Sequence, residues 1–380
     1  MDIQKESLKL HEKLKGKLEI KSKMALKTKE DFSLAYTPGV AEPCKEIAKD
    51  KNKIYDYTMK GNTVAVISDG SAVLGLGNIG AEASLPVMEG KSIIFKELAG
   101  IDAFPICLKS QDVKTNIETI KNISVVFGGI NLEDFKAPEC FELEKSLQDL
   151  GIPVMHDDQH GTAVVVLAGL INSLKVTQRK IEDVRVVING AGSAGISITK
   201  LLLKYGFKNI ILVDSKGVIY DGREELTKEK IEISKLTNFD LIKGNLENAL
   251  KDADIFIGVS KAGLLTEEHV KLMNKPIIFA LANPVPEIMP DLAKKAGAVI
   301  VATGRSDFPN QVNNSLAFPG IFRGALDIHA KRITDDMKLA AAEALASIIE
   351  KPSIDNILPY SLDKKVVPAV SSAVKKAYKE

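Results

Sequence analysis

Five carboxylates, Asp69, Glu133, Asp134, Asp157 and Asp158, follow short apolar runs of the chain. The runs are Thr63 to Ser68, Ser124 to Phe127 (continuing through Gly128-Gly129) and Ile152 to Met155. In a parallel sheet the carboxyl ends of the strands share one edge, and ligands bind there. Adjacent acid pairs brought to one edge repel each other unless a cation neutralises them. Oxygen donors without cysteine or an evident histidine pair suit Mg²⁺ or Mn²⁺ rather than zinc. Capping and solvated loops are the other reading of any single pair. His156 and His160 flank the second pair and are expected to support it rather than to bind metal.

The second constellation is a glycine pattern. GxGxxG occurs as Gly75, Gly77, Gly80 and again as Gly190, Gly192, Gly195. The second copy directly follows the apolar run Val184 to Asn189 and opens a helical stretch, Ile196 to Lys204. A further apolar run ends at Asp214, where a dinucleotide fold places the carboxylate that accepts the ribose hydroxyls. Such glycines permit a tight turn and let a pyrophosphate approach the helix N-terminus, whose free N–H groups and dipole favour anions. Gly190, Gly192, Ser193, Ala194, Gly195 and Asp214 are therefore read as cofactor-binding. Asp214 favours NAD, whereas Ser215 and Lys216 beside it offer a place for the extra phosphate of NADP. The first copy lacks a strand before it and an acid at the right distance, so it reads as a loop.

These residues need elements to hold them. Apolar, β-branched runs recur at Ala103 to Leu108, Asn209 to Val213, Asp254 to Val259, Pro276 to Leu281 and Ala298 to Ala302, alternating with helical patterns. Near-continuous apolar strands between helices imply parallel sheets covered on both faces, an α/β fold. At 380 residues two domains are expected: residues 1–160 carrying the acids, and residues 161–380 forming a Rossmann-type, doubly wound dinucleotide-binding domain. The change is placed just before a helix expected over Gly161 to Lys175, and helical sequence over Asp335 to Ile349 is expected to fold back on the body. Every arginine lies in the second part, beginning with Arg179.

Composition excludes several classes. A net charge of +1 gives no global electrostatic case for nucleic acid or a charged membrane. The apolar stretch Ala163 to Ile171 is too short to span a bilayer, and the lysine-rich start has acids and no apolar core as a signal peptide would. Cys44, Cys107 and Cys140 are widely spaced and form no CxxC, which fits a reducing cytoplasm.

Taken together, the motifs resemble those of the malic enzymes in their short bacterial and archaeal form. Ala35-Tyr36-Thr37-Pro38-Gly39 is similar to the family's tyrosine segment, and Ser68-Asp69-Gly70 with Leu74-Gly75-Leu76-Gly77-Asn78-Ile79-Gly80 to its second block. Met88-Glu89-Gly90-Lys91 resembles the lysine segment; Asn131 to Phe135 and His156 to Thr162 resemble the metal blocks. Leu281-Ala282-Asn283-Pro284 and Gln311-Val312-Asn313-Asn314 complete the set, in order and over nearly the whole chain. The resemblance implies oxidation and decarboxylation of (S)-malate to pyruvate and CO₂ with NAD or NADP and a divalent cation. It implies Glu133, Asp134 and Asp158 as metal ligands, Tyr36 as general acid and Lys91 as general base. Asn283 and Asn314 would contact substrate, with Asn283 and Ser260 also facing the cofactor. A lysine base needs a pKa well below its free value, so Lys91 is expected to be depressed by burial and the cation. Small members tend to be homodimers, which leaves open whether Tyr36 serves its own subunit. Ala72 stands where long-form members carry an arginine for a substrate carboxylate, leaving lysines, the asparagines, the metal, Arg305 or Arg323 for that role. A malolactic-type enzyme that releases lactate would use the same motifs; a non-catalytic nucleotide sensor would not keep the tyrosine, the lysine and the acids together.

Overall fold

The computed structural model describes residues 3–73 and 75–379; Leu74 of the first glycine block lies outside the described residues. Two sheets organise the chain. The first has strands β1 (Thr63–Ser68), β2 (Asp102–Cys107), β3 (Gly129–Leu132) and β4 (Val154–His156), all parallel, in the order β2-β1-β3-β4. The second has β5 (Arg185–Asn189), β6 (Asn209–Asp214), β7 (Gly217–Val218), β8 (Ile255–Gly258), β9 (Ile277–Ala280) and β10 (Ile300–Thr303). Its order is β10-β9-β8-β5-β6-β7, parallel except for the short β7. Every residue of β1, β8, β9 and β10 is buried, as strands covered on both faces must be.

In each sheet the strand order reverses at one strand, whose later neighbours lie on opposite sides of it: β1 lies between β2 and β3, and β5 between β6 and β8. Ligands of open α/β sheets lie at such switch points, beyond the carboxyl ends. The helix Asp157–Thr177 leaves β4 with no linker and runs into the second half, so the chain passes between the sheets inside a helix that begins before Gly161. By length and composition this helix could cross a membrane, but 67% of its apolar window is buried inside the protein. Asn172 on it donates to the carbonyls of Ala346 and Ile357 at 2.9 Å each, tying the C-terminal region to it. The expected C-terminal helix spans Asp335–Ser347, and Phe318 and Phe322 of the helix Phe318–Asp327 meet Phe95 of Gly80–Ala99.

One expected strand is absent. Ser124–Val126 forms a 3₁₀ turn, and β3 starts only at Gly129. The reason is tertiary: the buried Lys60 ammonium donates to the carbonyls of Ser124, Val125 and Phe127 at 3.3, 3.0 and 2.8 Å, which curls the segment around it. The two glycines then let β3 pass beneath the second domain. A Cβ on Gly129 would lie 3.2 Å from the Phe322 ring, and one on Gly128 2.4 Å from the Lys60 carbonyl.

Candidate active site

The acids of the first sheet converge on one lysine. Lys91, on the buried face of Gly80–Ala99, places Nζ 2.6 Å from Asp157 Oδ2 and 2.8 Å from Glu133 Oε1. The ammonium also lies 4.3 Å from the centre of the Phe318 ring. Glu133 follows β3, its N–H donating to the Ile67 carbonyl of β1, and Asn131 Nδ2 donates to Glu133 Oε2 at 2.8 Å. Asp158 accepts from the Asp134 N–H at 2.8 Å, so the two acid pairs are hydrogen-bonded across the sheet edge. Oxygens of Glu133, Asp134 and Asp158 come within 4.8 Å of one another. Three convergent, mostly buried carboxylates are a donor set that suits a hard divalent cation, so the residues fit a Mg²⁺ or Mn²⁺ site.

The electrostatics are those of crowded charge. Burial pushes Asp157 up to about 7, with Glu133 adding repulsion and Lys91 opposing it. Glu133 and Asp158 are raised for the same first reason, burial. Lys91 departs from the expectation of a depressed amine. Burial would lower it, but the charges of Asp157, Glu133 and Asp158 outweigh burial and hold it above its ordinary range. A lysine touching two carboxylates is stabilised as the cation.

Asp157 is the residue whose importance the motif reading missed. It is fully buried and is Lys91's nearest partner. A side chain at Gly161 would place its Cβ 1.8 Å from Asp157 Oδ1 and 3.2 Å from Asn314 Cβ, so that glycine makes room for both. His156 is buried and pushed down to about 4 by desolvation, hence neutral; His160 pairs with Glu144 at 3.0 Å. Neither histidine belongs to the convergent acid set.

The second switch point carries the glycine turn. Gly190 follows β5 at φ +120°, its N–H bound to the Val213 carbonyl of β6. Gly192 caps the helix Ser193–Tyr205, and a Cβ there would meet nothing within 4 Å, leaving that backbone open to a ligand. A Cβ on Gly195 would lie 1.8 Å from the Gly190 carbonyl oxygen. Gly195→Ala is therefore expected to force the turn apart and weaken dinucleotide binding at least tenfold (about 1.4 kcal/mol), measured by calorimetric titration; unchanged affinity would remove the turn from the site. Ser260, just beyond β8, and Ala282, just beyond β9, both donate their N–H at 3.1 Å to Glu287, which is fully buried. Glu287 was not anticipated; its position after the turn Pro284-Val285-Pro286 is the only sequence cue.

Comparison with known proteins shows the family of the chain. The malic enzyme N-terminal domain family matches residues 15–122, and the malic enzyme NAD-binding domain family matches residues 159–378. The chain belongs to the malic enzyme family. A bifunctional malic/malolactic enzyme of Bacillus subtilis is 57% identical over 385 residues, covering 100% of this chain and 94% of the relative. An NADP-dependent malic enzyme of Halomonas elongata is 48% identical, covering 95% of this chain and 90% of the relative. Among solved structures, the NAD-dependent malic enzyme of Thermotoga maritima superimposes with a TM-score of 0.95 at 52% identity, covering 98% of this chain and 99% of that one.

The malic enzyme motifs distribute unevenly over the structure. Lys91, Glu133, Asp134 and Asp158 meet as described, and Asn314 lies beside Asp157 against Gly161. Asn283 sits where the halves touch: a Cβ on Gly75 would lie 2.2 Å from its carbonyl oxygen, and one on Gly304 2.8 Å from its amide nitrogen. This is what the first glycine block does, closing a loop against the second domain. Tyr36 stands apart. It caps the helix Lys29–Ala35, is 64% exposed, and touches only the Phe32 ring among described side-chain contacts. Of the candidate arginines, Arg323 is engaged by Asp327 and Asn62, while Arg305 pairs with Asp307 and reaches the Pro284 carbonyl beside Asn283. Asp214 also differs from expectation. Arg223 and Lys230 already hold its carboxylate, which stays below its ordinary range although burial acts the other way.

Proposed function

We propose that the chain oxidises (S)-malate and decarboxylates it to pyruvate and CO₂, reducing NAD or NADP, with Mg²⁺ or Mn²⁺. The observation that carries this reading is the Lys91–Asp157–Glu133 cluster, which shares Glu133 with the three-carboxylate set, in a chain that also carries a glycine turn after β5. In this division residues 1–160 supply acid–base and metal-binding groups, and residues 161–380 the dinucleotide site.

Each residue has a physical task. Loss of hydride from C2 requires that the 2-hydroxyl release its proton to a group at hydrogen-bond distance. Lys91 and Asp157, 2.6 Å apart, form a dyad for this: a cation on the neighbouring acids would offset the negative charge that holds Lys91 as the ammonium, and the freed amine accepts the hydroxyl proton. A divalent cation held by Glu133, Asp134 and Asp158 would supply Lewis-acid stabilisation, worth several kcal/mol, for the negative charge that builds on the C2 oxygen as CO₂ leaves. Asn314 and Asn283 orient the substrate, and a tyrosine hydroxyl returns a proton to C3.

That tyrosine is Tyr36 of a second copy. The helices Ile3–Leu14, Lys29–Ala35 and Ala41–Lys49 bury no residue, and Ile3, Leu8, Phe32, Leu34 and Tyr36 are all exposed, which supports a homodimer built on this segment. Three free cysteines agree with a cytoplasmic location.

The test is absorbance at the reduced-nicotinamide band with malate, Mn²⁺ and each dinucleotide, together with product analysis. Free reduced cofactor and pyruvate in equal amounts are expected; neither forming would refute the reading. Because the Bacillus subtilis relative is named a malic/malolactic enzyme, lactate is assayed too. Lactate without free reduced cofactor would assign the malolactic reaction instead.

A further inference from the structure

Asp157 and Asp158 open their helix at its least constrained end. The helix Asp157–Thr177 follows β4 with no linker, and its cap residue, His156, makes no side-chain cap bond among the described residues. The first N–H groups of a helix have no partner within it. The direction in which this turn points its acids therefore depends on bonds from other elements.

One carboxylate supplies bonds on both sides of the acids. Glu144, on the helix Glu139–Ser146, accepts the N–H of His156 at Oε1 over 2.9 Å, and its Oε2 lies 3.0 Å from His160 Nε2. Burial acts to raise the Glu144 carboxyl, but the charge and hydrogen bond of His160 and the charge of Lys338 outweigh it and hold it down at about 2. An ionised carboxylate only accepts, so His160 Nε2 is the donor. One anchor thus sits immediately before Asp157, and the other lies beyond Asp158. Between them the buried Gln159 accepts at Oε1 from Ser197 Oγ at 3.2 Å, which ties the same turn to the helix Ser193–Tyr205 behind the glycine turn. The side-chain bonds of Glu144 go to His156 and His160, not to Lys91 or the three-carboxylate set.

We infer that Glu144 is a positioning residue for the reaction, clamping the backbone ahead of Asp157 and the His160 ring beyond Asp158 so that Asp157 meets Lys91 and Asp158 joins Glu133 and Asp134. This rests on the acid–base and metal reading above and deepens it. Asp157 reaches Lys91 at 2.6 Å and Asp158 accepts the Asp134 N–H at 2.8 Å. Both contacts come from one turn, so a rotation of that turn moves them together. A misplacement of about 1 Å can cost about 10²-fold in rate.

The test compares Glu144→Leu, of similar volume but without either bond, with Glu144→Gln, which can keep both. A glutamine amide oxygen accepts the His156 N–H while its amide N–H donates to His160 Nε2 in the other tautomer. Leu143→Ala is the control: Leu143 is buried on the same helix, and its loss destabilises without touching either bond. Mn²⁺ affinity of the full-length protein is read from the paramagnetic resonance of free Mn²⁺, dinucleotide affinity by calorimetry, and kcat with malate at saturating Mn²⁺. Glu144→Leu should weaken Mn²⁺ binding and lower kcat by about tenfold to hundredfold each, with dinucleotide affinity unchanged. Glu144→Gln should stay close to wild type in all three, and Leu143→Ala should melt lower with Mn²⁺ affinity intact. Circular dichroism checks folding; should Glu144→Leu fail to fold, His160→Leu, which removes one anchor, is read in its place and should show smaller defects of the same kind. Wild-type Mn²⁺ affinity and kcat in the folded leucine variant, a Glu144→Gln as impaired as that variant, or an equal Mn²⁺ defect in Leu143→Ala overturns the inference and leaves the enzyme assignment standing. A wild type that neither binds Mn²⁺ nor turns over malate overturns both.

Discussion

Replacing Lys91 by alanine should lower malate-dependent reduction of NAD(P) by about 10²- to 10⁴-fold, the usual contribution of a positioned acid–base group. Dinucleotide affinity should hardly change, because Gly190–Gly195 belong to the other sheet. The substitution also strips two buried carboxylates of their cation. Breaking a buried ion pair costs about 3–5 kcal/mol while the carboxylates stay charged. They escape by protonating, which fixes the sign of the pH dependence. Burial raises the folded-state values of Asp157 and Glu133 above their unfolded ones, so the folded state binds more protons and stability falls as pH rises. Lys91→Ala should therefore melt closest to wild type near pH 5 and fall furthest behind above pH 7. Lys91→Arg separates the two roles. It keeps a permanent cation between the carboxylates, so its melting temperature should track wild type, yet arginine does not give up its proton and turnover should stay lost. Turnover by Lys91→Arg near the wild-type rate would show that the amine is no base.

Glu133→Gln and Asp158→Asn should each raise the Mn²⁺ concentration needed for half-maximal rate by more than about 10-fold. Loss of a mere outer partner of a metal ligand already costs about 10- to 100-fold in affinity. Activity alone does not decide this, so the second readout is thermal stability with added Mn²⁺. A ligand that binds only the folded state stabilises by RT ln(1 + [L]/Kd), about 2.7 kcal/mol at a hundredfold excess over Kd. Wild type should show that gain and the variants should need far more Mn²⁺ for it. A stability response to Mn²⁺ identical in all three proteins would take these acids out of the metal site. Removing charge also relieves repulsion in the cluster, so the expected defect of Glu133→Gln is specific to the cation.

The legible parts of the fold are those in which local pattern and tertiary context agree. Thr63–Ser68 forms β1 as read, and the run ending in Asn189 forms β5, because both are strands buried on two faces whose apolar content leaves no other element. The Gly190–Gly195 turn was legible because its glycines are demanded by their own neighbourhood, Gly195 against the Gly190 carbonyl. Ser124–Phe127 was not. Its valines have strand propensity, yet Val125 and Val126 are exposed, and the carbonyls of Ser124, Val125 and Phe127 accept from Lys60, more than sixty residues earlier in the chain. No local pattern reports a partner at that distance.

The candidate site divides in the same way. Residue types and order within the chain determined that acids gather at strand ends, that one glycine turn joins a strand to a helix as a dinucleotide fold requires, and that Lys91 and Tyr36 belong to recognisable segments. Only the tertiary structure decided what each charge touches. It set Asp157 rather than Asp158 against Lys91, filled every lone pair of Asp214 with donors from Arg223, Lys216 and Lys230, and left Tyr36 at the surface. The reason is range. Strand and turn propensities act over a few residues, whereas the protonation state and free valence of a buried group depend on partners that only the folded chain brings within about 3 Å.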